Sequence, residues 1–237
     1  MLVILHGTRG DGAGIIDECG ALGLANHGVV VAAPTARIMN ASDWDHPEQS
    51  GETWWETSPA RDAAHNPDLL LVRATLAAAR RDYNVDPARV YLMGHSNGAF
   101  FGLVVATALR DRFAGVALNS GGLVRCPTTG ACRFRAGRVD DCARYPAMPG
   151  WCACDGDPLP VGVSGGDPRV PFVLSHGTND PDVSVQYTCA LAAELQGAGH
   201  AVTLHLRPGD GHFCDGDFVE RSWRVLTAGS GPLTGTW

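Results

Sequence analysis

One serine of the chain lies in a sequence pattern that is typical of a nucleophile. Residues 90–100 read VYLMGHSNGAF, which is an apolar strand, the pattern Gly-x-Ser-x-Gly around Ser96, and the start of an apolar helix. A serine on a tight turn between strand and helix has its Oγ exposed above the sheet, where it can attack a carbonyl carbon. Gly94 and Gly98 leave room for the strand and the helix to cross closely. The pattern therefore predicts nucleophilic catalysis by Ser96.

A serine hydroxyl needs a base, which is normally a histidine that a carboxylate holds in one tautomer. On a turn of this kind the acid and then the histidine follow the serine along the chain, each after a later strand. His212, in the loop GDGHF after the last predicted strand, is the predicted base. Asp180, directly after a strand-end turn, is the preferred acid, and Asp182 is the alternative. Asp210 is too close to His212 in sequence to orient it from another strand.

The other histidines suggest supporting roles. His95 precedes the serine, so it either packs beside it or touches the substrate. His6 and His176 each begin a His-Gly turn, which their side chains would hold. His200 and His205 lie before and within the last predicted strand, and we expect them to be structural or exposed.

Attack on a carbonyl also requires donors for the negative charge that develops on its oxygen. The backbone N–H of Asn97 is at a helix start, where it has no partner in the helix. The N–H of Thr8, after a buried strand and His-Gly, is the predicted second donor of the oxyanion hole. This chemistry needs neither a metal nor an organic cofactor.

These residues must be positioned by a sheet, and the chain alternates buried-strand and helix patterns. Such alternation predicts an α/β fold with a doubly wound, mostly parallel sheet, whose catalytic groups lie at the C-terminal ends of the strands. Asn66, Pro67 and Asp68 form a helix start, with an N-cap, a proline and an acid in the first turn. The predicted strands are 2–5, 29–33, 90–93, 116–118, 170–175 and 201–206, and further helices are 15–25, 99–109, 184–196 and 218–226.

Composition limits the class of protein. The 237 residues fit a single domain spanning the whole chain (1–237), and the net charge of −7 with scattered Lys and Arg gives no nucleic-acid surface. No apolar run approaches the length of a membrane span. The oligomeric state is left open by the sequence.

Eight cysteines are many for a reducing compartment, and their spacings fit no common zinc pattern. Disulfides in a secreted or periplasmic protein are the preferred interpretation. Five of the cysteines fall in residues 123–169, a Gly- and Pro-rich stretch that we interpret as a disulfide-stapled insertion. At least one of the five is free or reaches Cys19, Cys189 or Cys214. Because the chain begins inside a strand pattern, we expect an upstream segment to be missing.

A long polar stretch, 35–65, contains Trp44, Trp54 and Trp55. Loops of this length are usually functional or disordered, and tryptophans favour an ordered loop. The sequence leaves open whether these rings pack under the loop or line a substrate groove.

The chain resembles the α/β-hydrolase superfamily, and within it the polyhydroxybutyrate depolymerase and feruloyl esterase group. The resemblance is carried by VDPARVY before GHSNGA, and by LHG, TWW, HGTND and GH at 5–7, 53–55, 176–180 and 211–212. It implies that Ser96 is the nucleophile, Asp180 the acid and His212 the base of a secreted enzyme that hydrolyses carboxylic esters. It also implies that the first strands of the family fold are absent here. The cysteine-rich insertion follows the family's sixth strand, where members often carry a lid.

The leading hypothesis is a serine esterase for aryl, acetyl or hydroxyalkanoate esters, with Trp54, Trp55 and His95 as candidate substrate contacts. A serine peptidase of the same fold is an alternative, although no gating domain and no pocket for a charged peptide end are evident. An inactive relative that binds a ligand or polymer is the alternative from another class. The complete set of catalytic residue types argues against it.

Overall fold

A computed structural model describes residues 1–40, 51–57, 66–122, 125–126, 130–131, 142 and 169–228 of the chain. Its central sheet has the strands β1 (Leu2–Leu5), β2 (Val31–Ala32), β3 (Tyr91–His95), β4 (Gly115–Asn119), β7 (Phe172–Gly177) and β8 (Val202–Arg207), and a separate antiparallel hairpin is formed by β5 (Arg125–Cys126) and β6 (Gly130–Ala131). The helices are α1 (Gly12–Glu18), α2 (Leu22–Ala25), α3 (Pro67–Asp82), α4 (Asn97–Ala108), α5 (Gln186–Gly197) and α6 (Gly216–Thr227). The central sheet is parallel, in the order β2-β1-β3-β4-β7-β8, with helices packed on its faces.

The four inner strands are apolar on both faces, as the sequence predicted for strands buried in a parallel sheet. Every residue of β1, β3, β4 and β7 is buried, and the two faces lead into separate apolar clusters. The sheet ends at β8, whose residues are all half-buried. This arrangement places the C-terminal ends of β3, β7 and β8 at one edge, where the predicted chemistry lies.

Helix starts follow the local sequence signals closely. The side chain of Asn66 accepts hydrogen bonds from the N–H groups of Asp68 and Leu69, and Pro67 is the first residue of α3. The buried face of α3 is formed by Leu69, Val72, Leu76 and Ala79. Helix α4, which follows Ser96, is buried along most of its length because it crosses behind the sheet centre.

Two predicted elements differ from the structure. Residues 15–25 form two short helices instead of one, because Gly20 takes a φ of +64° between them. The strand predicted over 29–33 is reduced to Val31–Ala32, the short outer strand beside β1. An edge strand has a neighbour on one side only, so apolar pattern alone does not fix its length.

Two disulfides join distant parts of the chain. Cys19, after α1, is bonded to Cys214, and Cys142 is bonded to Cys189 in α5. The second bond confirms that a cysteine of the predicted insertion reaches outside it. Apart from Cys142, the β5–β6 hairpin and Arg169, the insertion lies outside the described residues. Its lid-like role therefore stays a prediction.

The described part of the chain contains no helix that is both long and apolar enough to cross a membrane.

Candidate active site

Ser96 lies on a strained turn between β3 and α4. Its backbone has φ 54° and ψ −124°, a left-handed conformation that a non-glycine residue rarely adopts. A Cβ on Gly94 would lie 2.3 Å from the carbonyl oxygen of Gly98, and a Cβ on Gly98 would lie 2.4 Å from the carbonyl oxygens of Leu5 and His6. The two glycines thus allow the close crossing that the sequence predicted. Strain of this kind often marks a functional position.

The structure brings Ser96, His212 and Asp180 together from the ends of three different strands. His212 Nε2 lies 2.9 Å from Ser96 Oγ, and His212 Nδ1 lies 2.7 Å from Asp180 Oδ2. Both distances are those of hydrogen bonds. A histidine placed between a hydroxyl and a buried carboxylate can take the hydroxyl proton and hold it as an imidazolium.

The Asp180 carboxylate has four polar contacts. Oδ1 accepts hydrogen bonds from the N–H groups of Asp182 and Val183, at 2.9 and 2.8 Å, while Oδ2 also lies 3.1 Å from His176 Nε2. Burial raises the pKa of Asp180, but hydrogen bonds from His176, His212 and the Val183 N–H outweigh it and leave the pKa well below its usual range. Asp180 is therefore a carboxylate at working pH. The Asp182 side chain is exposed, and Asp180 makes the hydrogen bond to His212.

The predicted oxyanion donors line the same cavity as Ser96. Within the described part of the chain, no acceptor contacts the N–H of Asn97 or of Thr8. The loop of Thr8 is held by His6, whose Nε2 accepts from the Ala36 N–H at 2.9 Å and whose Nδ1 donates to the Gly7 carbonyl at 2.6 Å. Burial lowers the pKa of His6, which keeps the ring neutral and both contacts intact.

The two tryptophans of the predicted groove have different surroundings. Trp54 lines the cavity, whereas the Trp55 side chain is completely buried and does not reach it. Trp55 stacks on Phe101 and donates its Nε1–H to the His6 carbonyl at 2.9 Å. Its backbone N–H donates to Asn97 Oδ1 at 2.7 Å. Trp55 is therefore not a substrate contact as predicted, because its side chain is buried; it instead holds His6 and Asn97, which flank the two predicted oxyanion donors.

His95 lies in the cavity wall with its ring 4.8 Å from that of His212. Its Nδ1 accepts a hydrogen bond from the Asn119 side-chain amide at 2.9 Å, which leaves the hydrogen on Nε2. Burial lowers the pKa of His95 to about 3, and positive charge on His212 and Arg207 acts in the same direction. His95 is thus a neutral N–H donor. Sequence reasoning missed Asn119, although it ends the strand paired with the one that leads to Ser96.

The cavity at Ser96 has a volume of about 650 Å³ and a mixed wall. Its lining includes the apolar residues Ile15, Trp54, Phe100 and Val183 and the exposed charged residues Arg9, Asp11, Glu18 and Asp182. A second cavity of about 330 Å³ lies between β8 and α6, away from Ser96 and His212. The chemistry therefore points to the larger cavity as the candidate site.

Among the described residues, one close group of possible metal ligands is found. The ligand atoms of Asp180, Asp182 and His212 lie within 4.8 Å of one another. His212 Nδ1 and Asp180 Oδ2 already form a hydrogen bond, so metal binding there would require breaking it.

Sequence comparison finds two bacterial depolymerases. A poly(3-hydroxyalkanoate) depolymerase C of Paucimonas lemoignei is 28% identical over 183 residues, which cover 68% of this chain and 42% of the relative. A poly(3-hydroxybutyrate) depolymerase of Ralstonia pickettii is 28% identical over 130 residues, which cover 51% of this chain and 25% of the relative. The chain spans less than half the length of these curated relatives. No protein-family model matches it.

Solved structures of similar fold cover almost the whole chain. Esterase PE8 has a TM-score of 0.60 at 21% identity and covers 96% of this chain and 91% of its own. SOBER1 of Arabidopsis thaliana has a TM-score of 0.57 at 16% identity, covering 97% and 98%. The carboxylesterase of Bacillus cereus has a TM-score of 0.57 at 17% identity, covering 96% and 87%. These structures show that the chain has the α/β-hydrolase fold, and the two depolymerases found by sequence confirm the resemblance to the polyhydroxybutyrate depolymerase group.

Proposed function

We propose that this protein is a serine hydrolase that cleaves carboxylic esters through an acyl-enzyme on Ser96. The observation that carries the proposal is the continuous hydrogen-bonded series from Ser96 Oγ through His212 to Asp180, with distances of 2.9 and 2.7 Å. The strained backbone of Ser96 and the position of Asn97 and Thr8 on the same cavity wall support this chemistry. Similarity to depolymerases and esterases supports the ester bond as the target.

Acylation begins when Ser96 Oγ attacks the ester carbonyl carbon and His212 Nε2 takes its proton. The carbonyl oxygen becomes an oxyanion, which the N–H groups of Asn97 and Thr8 bind. Each such donor stabilises the transition state by roughly 3 kcal/mol in other hydrolases. His212 then protonates the leaving alcohol oxygen, the carbon–oxygen bond breaks, and the acyl group remains on Ser96. The carboxylate of Asp180 stabilises the imidazolium throughout.

Deacylation repeats these steps with water as the nucleophile. His212 takes a proton from a water molecule as its oxygen attacks the acyl carbon, and the second tetrahedral intermediate occupies the same two donors. When it collapses, the proton returns to Ser96 Oγ and the carboxylic acid leaves. These reaction steps need no cofactor, because side chains of the protein carry every proton.

The size and walls of the cavity bear on the substrate class. A volume of about 650 Å³ with Trp54 and Phe100 on its wall suits an acyl group of moderate size, with His95 Nε2–H as a polar contact. The two curated relatives are named for poly(3-hydroxyalkanoate) and poly(3-hydroxybutyrate). We therefore propose short hydroxyalkanoate esters first, and aryl or acetyl esters next. The disulfides and these relatives also support export from the cytoplasm.

The test is hydrolysis of p-nitrophenyl acetate, butyrate and octanoate, methyl ferulate and a 3-hydroxybutyrate trimer at neutral pH. Wild type should cleave at least one class, and Ser96→Ala should lower kcat by about 10⁴-fold or more. Circular dichroism must show that both proteins are folded. A folded wild type that cleaves none of these esters, and that does not react at Ser96 with a fluorophosphonate probe, would overturn the proposal in favour of a binding protein.

A further inference from the structure

A second histidine contacts Oδ2 of Asp180, the same carboxylate oxygen that lies within hydrogen-bond distance of His212. His176, the fifth residue of β7, is completely buried. Its Nε2 lies 3.1 Å from Asp180 Oδ2 and 3.0 Å from the carbonyl oxygen of Val183. Its Nδ1 lies 2.6 Å from the hydroxyl of Thr188 in α5. The proposed mechanism makes no use of this residue, although it touches the proposed acid.

The hydrogens available to these contacts can be counted. The Thr188 hydroxyl is also within hydrogen-bond distance of the Gly121 carbonyl oxygen, which can only accept, so the single hydroxyl hydrogen is donated there. The hydrogen between Thr188 and His176 must then come from Nδ1. Asp180 Oδ2 and the Val183 carbonyl oxygen also accept only, so Nε2 must carry a hydrogen as well. A neutral imidazole has one N–H and would leave one of these buried contacts without a hydrogen.

We infer that His176 is a positioning residue that is held as an imidazolium and fixes the Asp180 carboxylate toward His212. The inference rests on the proposed function only in assigning Asp180 as the acid. A buried charge is tolerated when it is paired and hydrogen-bonded, and His176 meets both conditions.

The contacts of His176 and Thr188 also connect Asp180 to the turn that holds Ser96, in addition to the direct connection through His212. Gly121 packs against that turn so closely that a Cβ on it would lie 2.6 Å from Ala99 Cβ and 3.1 Å from the Ser96 carbonyl oxygen. Contacts therefore run from Ser96 through His212, Asp180, His176 and Thr188 to Gly121, and return to the turn that holds Ser96. Movement of Asp180 away from His212 would have to break a buried bond of this closed series.

Several other titratable and charged groups lie near this series. His212 contacts Asp180, and its ring lies 4.8 Å from the neutral ring of His95. A carboxylate oxygen of Asp182 lies within 4.8 Å of the ligand atoms of both His212 and Asp180. Arg207 acts on His95 and is paired with Asp210 and Asp215. Substitutions at His176 and Thr188 leave all of these groups unchanged, so a difference from wild type reports on His176.

The charge on His176 can be measured without any activity. In protein labelled with ¹⁵N-histidine, two-dimensional NMR at pH 7 distinguishes an imidazolium, with both nitrogens protonated, from either neutral tautomer. The signal of His176 is assigned by its loss in His176→Gln, or by its displacement in Thr188→Ser if the first variant does not fold. Two protonated nitrogens are expected. A single protonated nitrogen at pH 7 would overturn the inference, even in a protein with full esterase activity.

Kinetics test the positioning role. His176→Gln keeps an N–H donor but removes the charge, and Thr188→Val removes the acceptor of Nδ1–H. Both should lower kcat with little change in KM, His176→Gln by about 10- to 100-fold, as expected when a catalytic group is misplaced. Removing positive charge beside Asp180 stabilises the His212 imidazolium, so the acidic limb of the kcat/KM profile should move to higher pH by on the order of one unit.

Thr188→Ser retains the hydroxyl and serves as the matched control, with a profile that coincides with wild type. A merely structural role would lower the folded fraction and leave the acidic limb in place. Coincident acidic limbs in wild type, His176→Gln and Thr188→Val would therefore refute the positioning role. Failure of the proposed function looks different, because wild type itself would then be inactive while the NMR result still stands.

Discussion

Substitution of Gly98 by alanine tests whether the crossing of β1 and α4 positions the oxyanion loop. The new Cβ would lie 2.4 Å from the carbonyl oxygens of Leu5 and His6, whereas ordinary contacts begin at 3.4 Å, so the backbone must separate by about 1 Å. His6 directly precedes the loop of Gly7 and Thr8. The loop would therefore move away from Ser96 by a comparable distance.

The expected loss has two components. Overpacking costs about 1–3 kcal/mol of unfolding free energy, and the lower entropy of an unfolded chain with alanine returns about 0.4–1 kcal/mol. A net loss of about 1.3 kcal/mol lowers Tm by roughly 3–5 °C in a chain of this size. Misplacement of an oxyanion donor by 1 Å should lower kcat by about 100-fold, because catalysis depends on geometry at that scale.

Thermal unfolding and ester hydrolysis are measured together, with Gly197→Ala as the control. Gly197 is the last residue of α5, and the point where its Cβ would lie has no neighbouring atom within 4 Å. Its φ is not positive, so the Tm of this control should be equal to that of wild type or slightly raised. A Gly98→Ala variant with the Tm of wild type and a kcat within about twofold of wild type would contradict the prediction. A twofold change is far smaller than the 100-fold loss expected if the loop moves by about 1 Å.

Three further results are expected. Asp180→Asn should lower kcat by about 10⁴-fold, since an amide favours the wrong tautomer of the base, while Asp182→Asn should change kcat little; equal effects in the two variants would contradict the assignment. Trp55→Phe keeps the stack on Phe101 but leaves the His6 carbonyl without its donor, so urea unfolding should show a loss of about 1–3 kcal/mol together with a lower kcat. The folded-state pKa of His95, about 3, is below its unfolded value, so the unfolded chain binds more protons below pH 6.5 and stability falls as pH decreases. The free energy of unfolding in urea should fall between pH 8 and pH 5 by about 2 kcal/mol more in wild type than in His95→Gln. Asp180 does not produce this difference, because the stability that its carboxylate contributes is lost only below about pH 4.

The parts of the site that sequence could predict are those with local causes. A nucleophile turn needs glycines at fixed positions around the serine, and Asn66 with Pro67 marks a helix start whatever the rest of the chain does. The order of serine, acid and histidine follows from the order of strands in the fold. Placement after strands accordingly identifies His212 and Asp180, and the structure brings both to Ser96.

Other features depend on residues that are distant in sequence. Trp55 is of a residue type that often contacts substrates, but hydrogen bonds to acceptors on His6 and Asn97 decide its position. No local sequence pattern links these two residues to Trp55. Cysteine spacing leaves the pairing of Cys19 with Cys214 open, because the two are 195 residues apart. Helix α1 ends early because of the backbone at Gly20, whose φ of +64° becomes visible only in the structure.

The two histidines beside Ser96 show how distant contacts divide roles between identical side chains. Their rings are 4.8 Å apart, so a charge on both would be unfavourable, and either could in principle serve as base. Asn119 donates to Nδ1 of His95 and also to the carbonyl oxygen of Phe213, so its amide cannot turn to accept. His95 is thereby confined to the neutral form with its hydrogen on Nε2. The proposed role of base therefore falls to His212, whose Nδ1 lies 2.7 Å from the Asp180 carboxylate and whose ring lies 4.8 Å from this neutral ring.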